Sequence, residues 1–148
     1  MRILIFEGVL ILARVTGIGG VFFKSEDPIK LRKWYEDNLG IQSDAYGKTF
    51  LWNATEPPNV GSTVWAPFDQ QTTYFEPSQK QFMINFRVDN LPELVKELQG
   101  KGVESLAPII VESYGKFAHI LDPEGNKIEL WEPVDHVMHD LLNEESTT

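Results

Sequence analysis

Glu129 is the one charged side chain in the run Ile128-Glu129-Leu130-Trp131, directly after the turn-like segment Asp122-Pro123-Glu124-Gly125-Asn126. A carboxylate placed there suits a metal ligand, a general base, or a solvated residue on the outer side of a strand. Alternate strand residues share a face, so Lys127 and Trp131 lie on the side of Glu129. His119 precedes the same turn. If the turn closes a hairpin of the usual register, His119 and Glu129 sit nearly opposite. Their Cβ atoms would then be about 4.5–5.5 Å apart, close enough to share a proton or a water. In an apolar cavity the pKa of Glu129 would rise, which is how a general base is made. The competing reading of His119 is a half-buried histidine, hydrogen-bonded for structural reasons. His136 and His139 stand at i,i+3 in a polar segment, where such a pair reads as surface rather than as a metal site.

The chain has 148 residues, enough for one domain with a real core or two small modules sharing one. A hydrophobic fraction of 42% fits a globular protein. The net charge of −9 argues against nucleic acid or an anionic membrane as partner, because phosphate would be repelled. With no cysteine there is no disulfide framework, thiolate nucleophile or cysteine-based zinc site, which fits a reducing cytoplasm. The apolar start Met1–Ala13 falls short of the ~20 residues that span a bilayer. Glu7 also interrupts it where a signal peptide should be uniformly apolar. Residues 1–14 therefore read as an extra strand or an N-terminal extension, with a cleaved signal as the lesser alternative.

The elements that must position these residues occur twice. Thr16–Lys24 is strand-like, and a helix follows with Asp27 as cap, Pro28 in the first turn and Gly40 as the stop. Leu31, Trp34, Tyr35 and Leu39 have the spacing of one buried face. Short strands are expected at Asp44–Tyr46 and Lys48–Asn53. A loop broken by proline and glycine comes next, then the strand Ser62–Phe68. In the second half Phe82–Asn90 reads as a strand, and a helix begins at the cap Asn90. Leu91, Leu94, Val95 and Leu98 form its stripe, and Gly102 ends it. Strands are expected at Val103–Ala107, Gly115–Leu121 and Asn126–Glu132. Asp27 matches Asn90, Gly40 matches Gly102, and Trp65-Ala66-Pro67 matches Trp131-Glu132-Pro133, so a β-α-β-β-β unit is duplicated. Residues 15–67 form the first module, 68–81 a linker, 82–133 the second module, and 134–148 a polar tail.

Across about residues 15–133, three segments carry a resemblance: Val21–Ile41, Ile84–Glu104 and Gly115–Pro133. Together they resemble the glyoxalase/bleomycin resistance/dioxygenase superfamily, also called vicinal oxygen chelate proteins. The resemblance implies an α+β fold, with two tandem βαβββ modules forming a curled, partly open β-sheet around a cavity. It also implies a homodimer, since open curved sheets leave edges for a partner to cover. In that family four inward side chains can hold a divalent metal. Carried over one at a time, these positions fall on Gly20, Thr63, Met83 and Glu129. One carboxylate with a glycine, a threonine and a thioether does not make a hard-metal site. No cofactor is therefore expected, with a divalent metal as the lesser alternative.

Trp52 and Trp65 are expected as cavity walls, beside Phe22, and Tyr114 with Glu112 at a rim. Gly19 and Gly20 remove side chains where the family's metal would lie. Two functions follow. One is a metal-free binder of a small, partly aromatic or cationic molecule, with Trp52, Trp65, Phe22, Tyr114, Met83 and Thr63 around it. The other is a glyoxalase-like lyase or isomerase in which Glu129 and His119 act as the acid/base pair. A module with a vestigial cavity is the third possibility.

Overall fold

The computed structural model describes residues 13–53 and 60–135. The N-terminal segment 1–12, most of the proline-broken loop, and the tail with His136 and His139 lie outside them. Strand β1 (Val15–Ser25) is followed by helix α1 (Pro28–Leu39), β2 (Lys48–Asn53) and β3 (Val60–Asp69). The second half runs β4 (Phe82–Val88), α2 (Leu91–Gly100), β5 (Ile110–Glu112), β6 (Gly115–Leu121) and β7 (Lys127–Pro133). All strands join one mixed sheet in the order β2-β3-β1-β4-β7-β6-β5. No helix among the described residues is long and apolar enough to cross a membrane.

The duplication is visible in the strand registers. Strand β1 pairs parallel with β3, Phe22 facing Ala66, and β4 pairs parallel with β7, Asn85 facing Glu129. In both pairs the partners are 44 positions apart, so a shift of 63 residues carries the first module onto the second. The two halves join through the antiparallel β1–β4 pair, Gly20 facing Asn85. This shift corrects the tryptophan-based match: the counterpart of Glu129 is Ala66, not Thr63, and that of Trp131 is Phe68.

Helix α1 starts and stops as expected. The Asp27 side chain accepts from Lys30 N, Pro28 opens the first turn, and Gly40 takes the left-handed conformation at φ 69°. Its apolar face is narrower than expected. Leu31 and Tyr35 are half-buried, but Trp34 and Leu39 are 54% and 61% exposed. The helix meets the sheet mainly through Tyr35, whose ring lies tilted at 4.6 Å on Trp65, and this contact leaves the flanking positions in solvent. Helix α2 follows its pattern: Asn90 caps it, Leu91 and Leu94 are buried, and Val95 and Leu98 pack behind them.

Two expected strands are absent. Asp44–Tyr46 is a tight turn closed by a single Asp44–Gly47 bridge, with Tyr46 N bonded to the Asp44 side chain. Val103–Ala107 is irregular: Val103 N closes the end of α2 on Leu98 O, and Ser105 Oγ bonds Ala107 O. Pro108 supplies no N–H for a ladder, so the second strand of this module begins only at Ile110.

Alternation along the strands separates two apolar clusters. Val88, Ala118, Ile120 and Leu130 face α2 with Leu91 and Leu94. Phe22, Ala66, Phe75 and Met83 pack on the other, concave side. On that concave side alternation also brings in Asn85, Arg87, His119, Lys127, Glu129 and Trp131, all buried.

Candidate functional site

The segment Asp122–Asn126 is a tight turn held by the Asp122 carboxylate, which accepts from Glu124 N, Asn126 N and Asn126 Nδ2. These bonds from Asn126 hold the Asp122 carboxyl below its usual pKa. The turn fixes the β6–β7 register, and His119 lies directly opposite Glu129. Glu129 is 3% exposed. Its Oε1 accepts from Asn85 Nδ2 at 2.6 Å. Its Oε2 accepts from the Tyr74 hydroxyl and lies 2.8 Å from His119 Nε2, which donates when it carries the ring proton.

Tyr74 enters from the segment between the modules. Its ring stands edge-on to His119 at 5.5 Å and its backbone carbonyl accepts from Lys127 Nζ at 2.6 Å. Burial of the hydroxyl, then the Glu129 charge beside it, push its pKa well above the ordinary tyrosine value. Burial moves Lys127 the other way, lowering its pKa, with Glu129 opposing. The folded Tyr74 hydroxyl holds its proton more tightly than the unfolded one. Its contribution to stability is therefore whole below about pH 10, the ordinary tyrosine range, and is lost as the pH rises above it. Denaturant unfolding across pH 8 to 11 is expected to show this alkaline loss in the native protein, and Tyr74→Phe is expected to flatten it.

A cavity of about 120 Å³ opens beside this network, walled by Gly19, Phe22, Asn85, Phe117, Glu129 and Trp131. Asn85 Oδ1 and Trp131 Nε1 are buried without a hydrogen-bond partner among the described residues. Gly19 is required here, since a Cβ would overlap Asn85 Oδ1 and come within 2.9 Å of the Trp131 ring. Gly19→Ala is expected to cost about 1–3 kcal/mol by forcing Asn85 off Glu129, measured by chemical denaturation. Arg87, also buried, lies between the Trp52 ring at 5.3 Å and the Trp131 ring at 5.6 Å, and pairs with Asp135 at 2.6 Å.

The structure brings some of the expected site residues together and separates others. Glu129 and His119 form the hydrogen-bonded pair, Phe22 walls the cavity, and Tyr114 stands at its rim, 39% exposed. Met83 is fully buried in the apolar cluster with Phe22, Ala66 and Phe75 and does not line the Glu129 cavity. Thr63 is on the opposite face of β3, where its hydroxyl donates to Ile18 O and accepts from Trp52 Nε1. Trp65 shares that face and packs on Tyr35 and Phe23, and it does not line the Glu129 cavity. Trp52 meets Arg87 rather than the cavity, and Gly20 offers no side chain. Trp131 stands on the side of Glu129 as alternation predicts, and Asn85, Tyr74 and Phe117 complete the site without having been named for it. Asn85 carried a local signal, as an amide in an otherwise apolar strand, and so did Phe117, two positions before His119.

The fold's metal geometry needs converging donors. Of the four positions the resemblance implies, Gly20 has no side chain, Met83 is buried in the apolar cluster and Thr63 bonds Ile18 O and Trp52, which leaves Glu129. Both Glu129 oxygens already accept hydrogen bonds, and Tyr74 is held protonated. Among the described residues no three His, Cys, Asp or Glu side chains converge. These side chains do not fit a divalent ion held in that geometry.

No protein-family model matches this sequence, and no curated protein does. Solved structures do. Methylmalonyl-CoA epimerase from Mycobacterium tuberculosis superposes with a TM-score of 0.53 at 18% identity, over 84% of this chain and 93% of that one. A Streptomyces coelicolor methylmalonyl-CoA epimerase variant in complex with 2-nitronate-propionyl-CoA gives 0.57 at 13% identity, over 82% and 99%. At such identities the likeness is one of fold. With its doubled βαβββ unit and equal strand registers, the chain has the fold of the glyoxalase/bleomycin resistance/dioxygenase superfamily.

Proposed function

We propose that the protein binds a small molecule in the Glu129 cavity without using the fold's metal geometry. The observation that carries this reading is a buried, positioned carboxylate on a cavity lined by Phe22, Phe117 and Trp131, with the unpartnered Asn85 Oδ1 on the carboxamide that bonds it. Buried polar atoms are rarely left unpaired, and a ligand with a donor group would satisfy Asn85 Oδ1. Phe22, Phe117 and Trp131 supply aromatic walls, and an ammonium near such faces and a carboxylate is favoured. The ligand class is a small ammonium or hydroxyl compound with an aromatic part. Calorimetry against arylalkyl amines and quaternary ammonium compounds tests it. The native protein should bind at least one of them, and Glu129→Gln should weaken that binding by tenfold or more. A tight response to Zn, Ni, Mn or Fe with none to the amines would count against it.

A second reading is proton transfer next to a carbonyl, with Glu129 as base and His119 and Tyr74 sharing its charge. It is favoured by the 2.8 Å His119–Glu129 contact, and by the epimerases that share the fold. Deuterium exchange into methylmalonyl-CoA in heavy water, lost in Glu129→Gln, would support it. We also propose a homodimer through the edge strands β2 and β5, where Phe50, Leu51, Ile110 and Val111 are exposed. Sedimentation velocity should give twice the chain mass.

A further inference from the structure

We propose that the concave face of the first module is a second small-molecule compartment, separate from the Glu129 cavity, that takes a flat aromatic anion. An open cavity of about 470 Å³ lies there, between the end of β3, the start of α1 and the Ala45–Tyr46 turn, within the roughly 300–1,000 Å³ typical of small-molecule sites. The shift of 63 residues that relates the modules places Phe22 and Ala66 in it at the positions where the second module holds Asn85 and Glu129. Phe68 stands there in the place of Trp131. The same fold thus offers one polar bowl and one apolar bowl. Phe22 and Val64 line both cavities and form the wall between them.

Aromatic rings form the floor of the apolar bowl. Phe22 and Phe68 lie 5.2 Å apart, and Phe68 is stacked in turn on Tyr74 at 5.8 Å. Its one cationic lining residue is Arg32 from α1, which makes no ion pair among the described residues. A carboxylate or sulfonate could meet it there as a planar, bidentate partner. Asp69 also lines the cavity, but its carboxylate accepts from Gln71 N at 2.8 Å within the turn after β3. In a chain of net charge −9, the one guanidinium on this largely apolar lining is the feature to which a ligand's acidic group would turn, with Asp69 held in its turn by Gln71 N.

Fluorescence titration with 1-anilinonaphthalene-8-sulfonate on the folded full chain tests this. The native protein should bind one probe per chain with a blue-shifted emission. Ala45→Trp, which plugs the cavity from the exposed turn without disturbing the core, should weaken binding tenfold or more. Arg32→Gln should weaken it severalfold, while Lys30→Gln, the same charge change on α1 outside the cavity, should match the native protein. Thermal melts establish that each variant is folded. Native-like affinity in Ala45→Trp, or equal losses in Arg32→Gln and Lys30→Gln, would overturn the proposal.

Discussion

Glu129→Leu is expected to destabilise the protein by about 3 kcal/mol or more, whereas Glu129→Gln should cost about 1 kcal/mol or less. The carboxylate gathers Asn85, Tyr74 and His119, and Asn85, His119 and Glu129 itself are buried. Leucine removes their common acceptor, and each buried donor left unpaired costs about 1–3 kcal/mol. Glutamine keeps an oxygen for Asn85. Its amide then needs an acceptor, which the Tyr74 oxygen or a neutral His119 nitrogen can provide by turning. The two substitutions therefore separate what Glu129 does for folding from what its charge does for a ligand. Urea unfolding of both variants beside the native protein measures the first quantity. Equal small losses for leucine and glutamine would mean that the network contributes little to the fold.

Phe75→Ala is expected to cost about 3–5 kcal/mol, a large part of the roughly 5–15 kcal/mol that holds a domain of this size together. Phe75 is fully buried between Phe68, Met83 and Phe22, and Lys24 Nζ lies 5.8 Å from its ring centre. It anchors the connection between the modules, and its neighbour Tyr74 is the residue this connection delivers to Glu129. Loss of the anchor should therefore release Tyr74 as well. The expected signature is a lower urea midpoint together with a flattened alkaline limb, as in Tyr74→Phe. A loss under about 1 kcal/mol with the alkaline limb unchanged would show that Phe75 does not position Tyr74.

The legible part of the site was local. The turn from Asp122 to Asn126 sets the hairpin register, so His119 opposite Glu129 followed from the sequence. Helix caps Asp27 and Asn90 were legible for the same reason, since their chemistry acts within one turn. Tyr74 was not. It lies 55 positions from Glu129 and reaches it only because the segment between the modules folds back over Phe75. Thr63 and Trp65 were misplaced because the recurring tryptophan and proline are out of step with the strand pairing. One strand position reverses the face a side chain takes, and so Trp65 packs against α1 while Trp131 faces the cavity. Helix α1 shows the remaining limit: apolar spacing indicates a face, but the curl of the sheet decides how much of it is covered.

The unpartnered Asn85 Oδ1 that motivates the ligand reading and the cavity-lining Trp131 both belong to groups seen directly by ¹⁵N-edited NMR: the Asn85 carboxamide and the Trp131 indole N–H. A ¹⁵N–¹H titration of the native protein with benzylamine is the most direct measurement. Saturable shifts concentrated on the Asn85 side-chain amide and the Trp131 indole signal, and absent in Glu129→Gln, are the predicted result. Shifts confined to other regions, or the same shifts in Glu129→Gln, would contradict a ligand held at the Glu129 cavity.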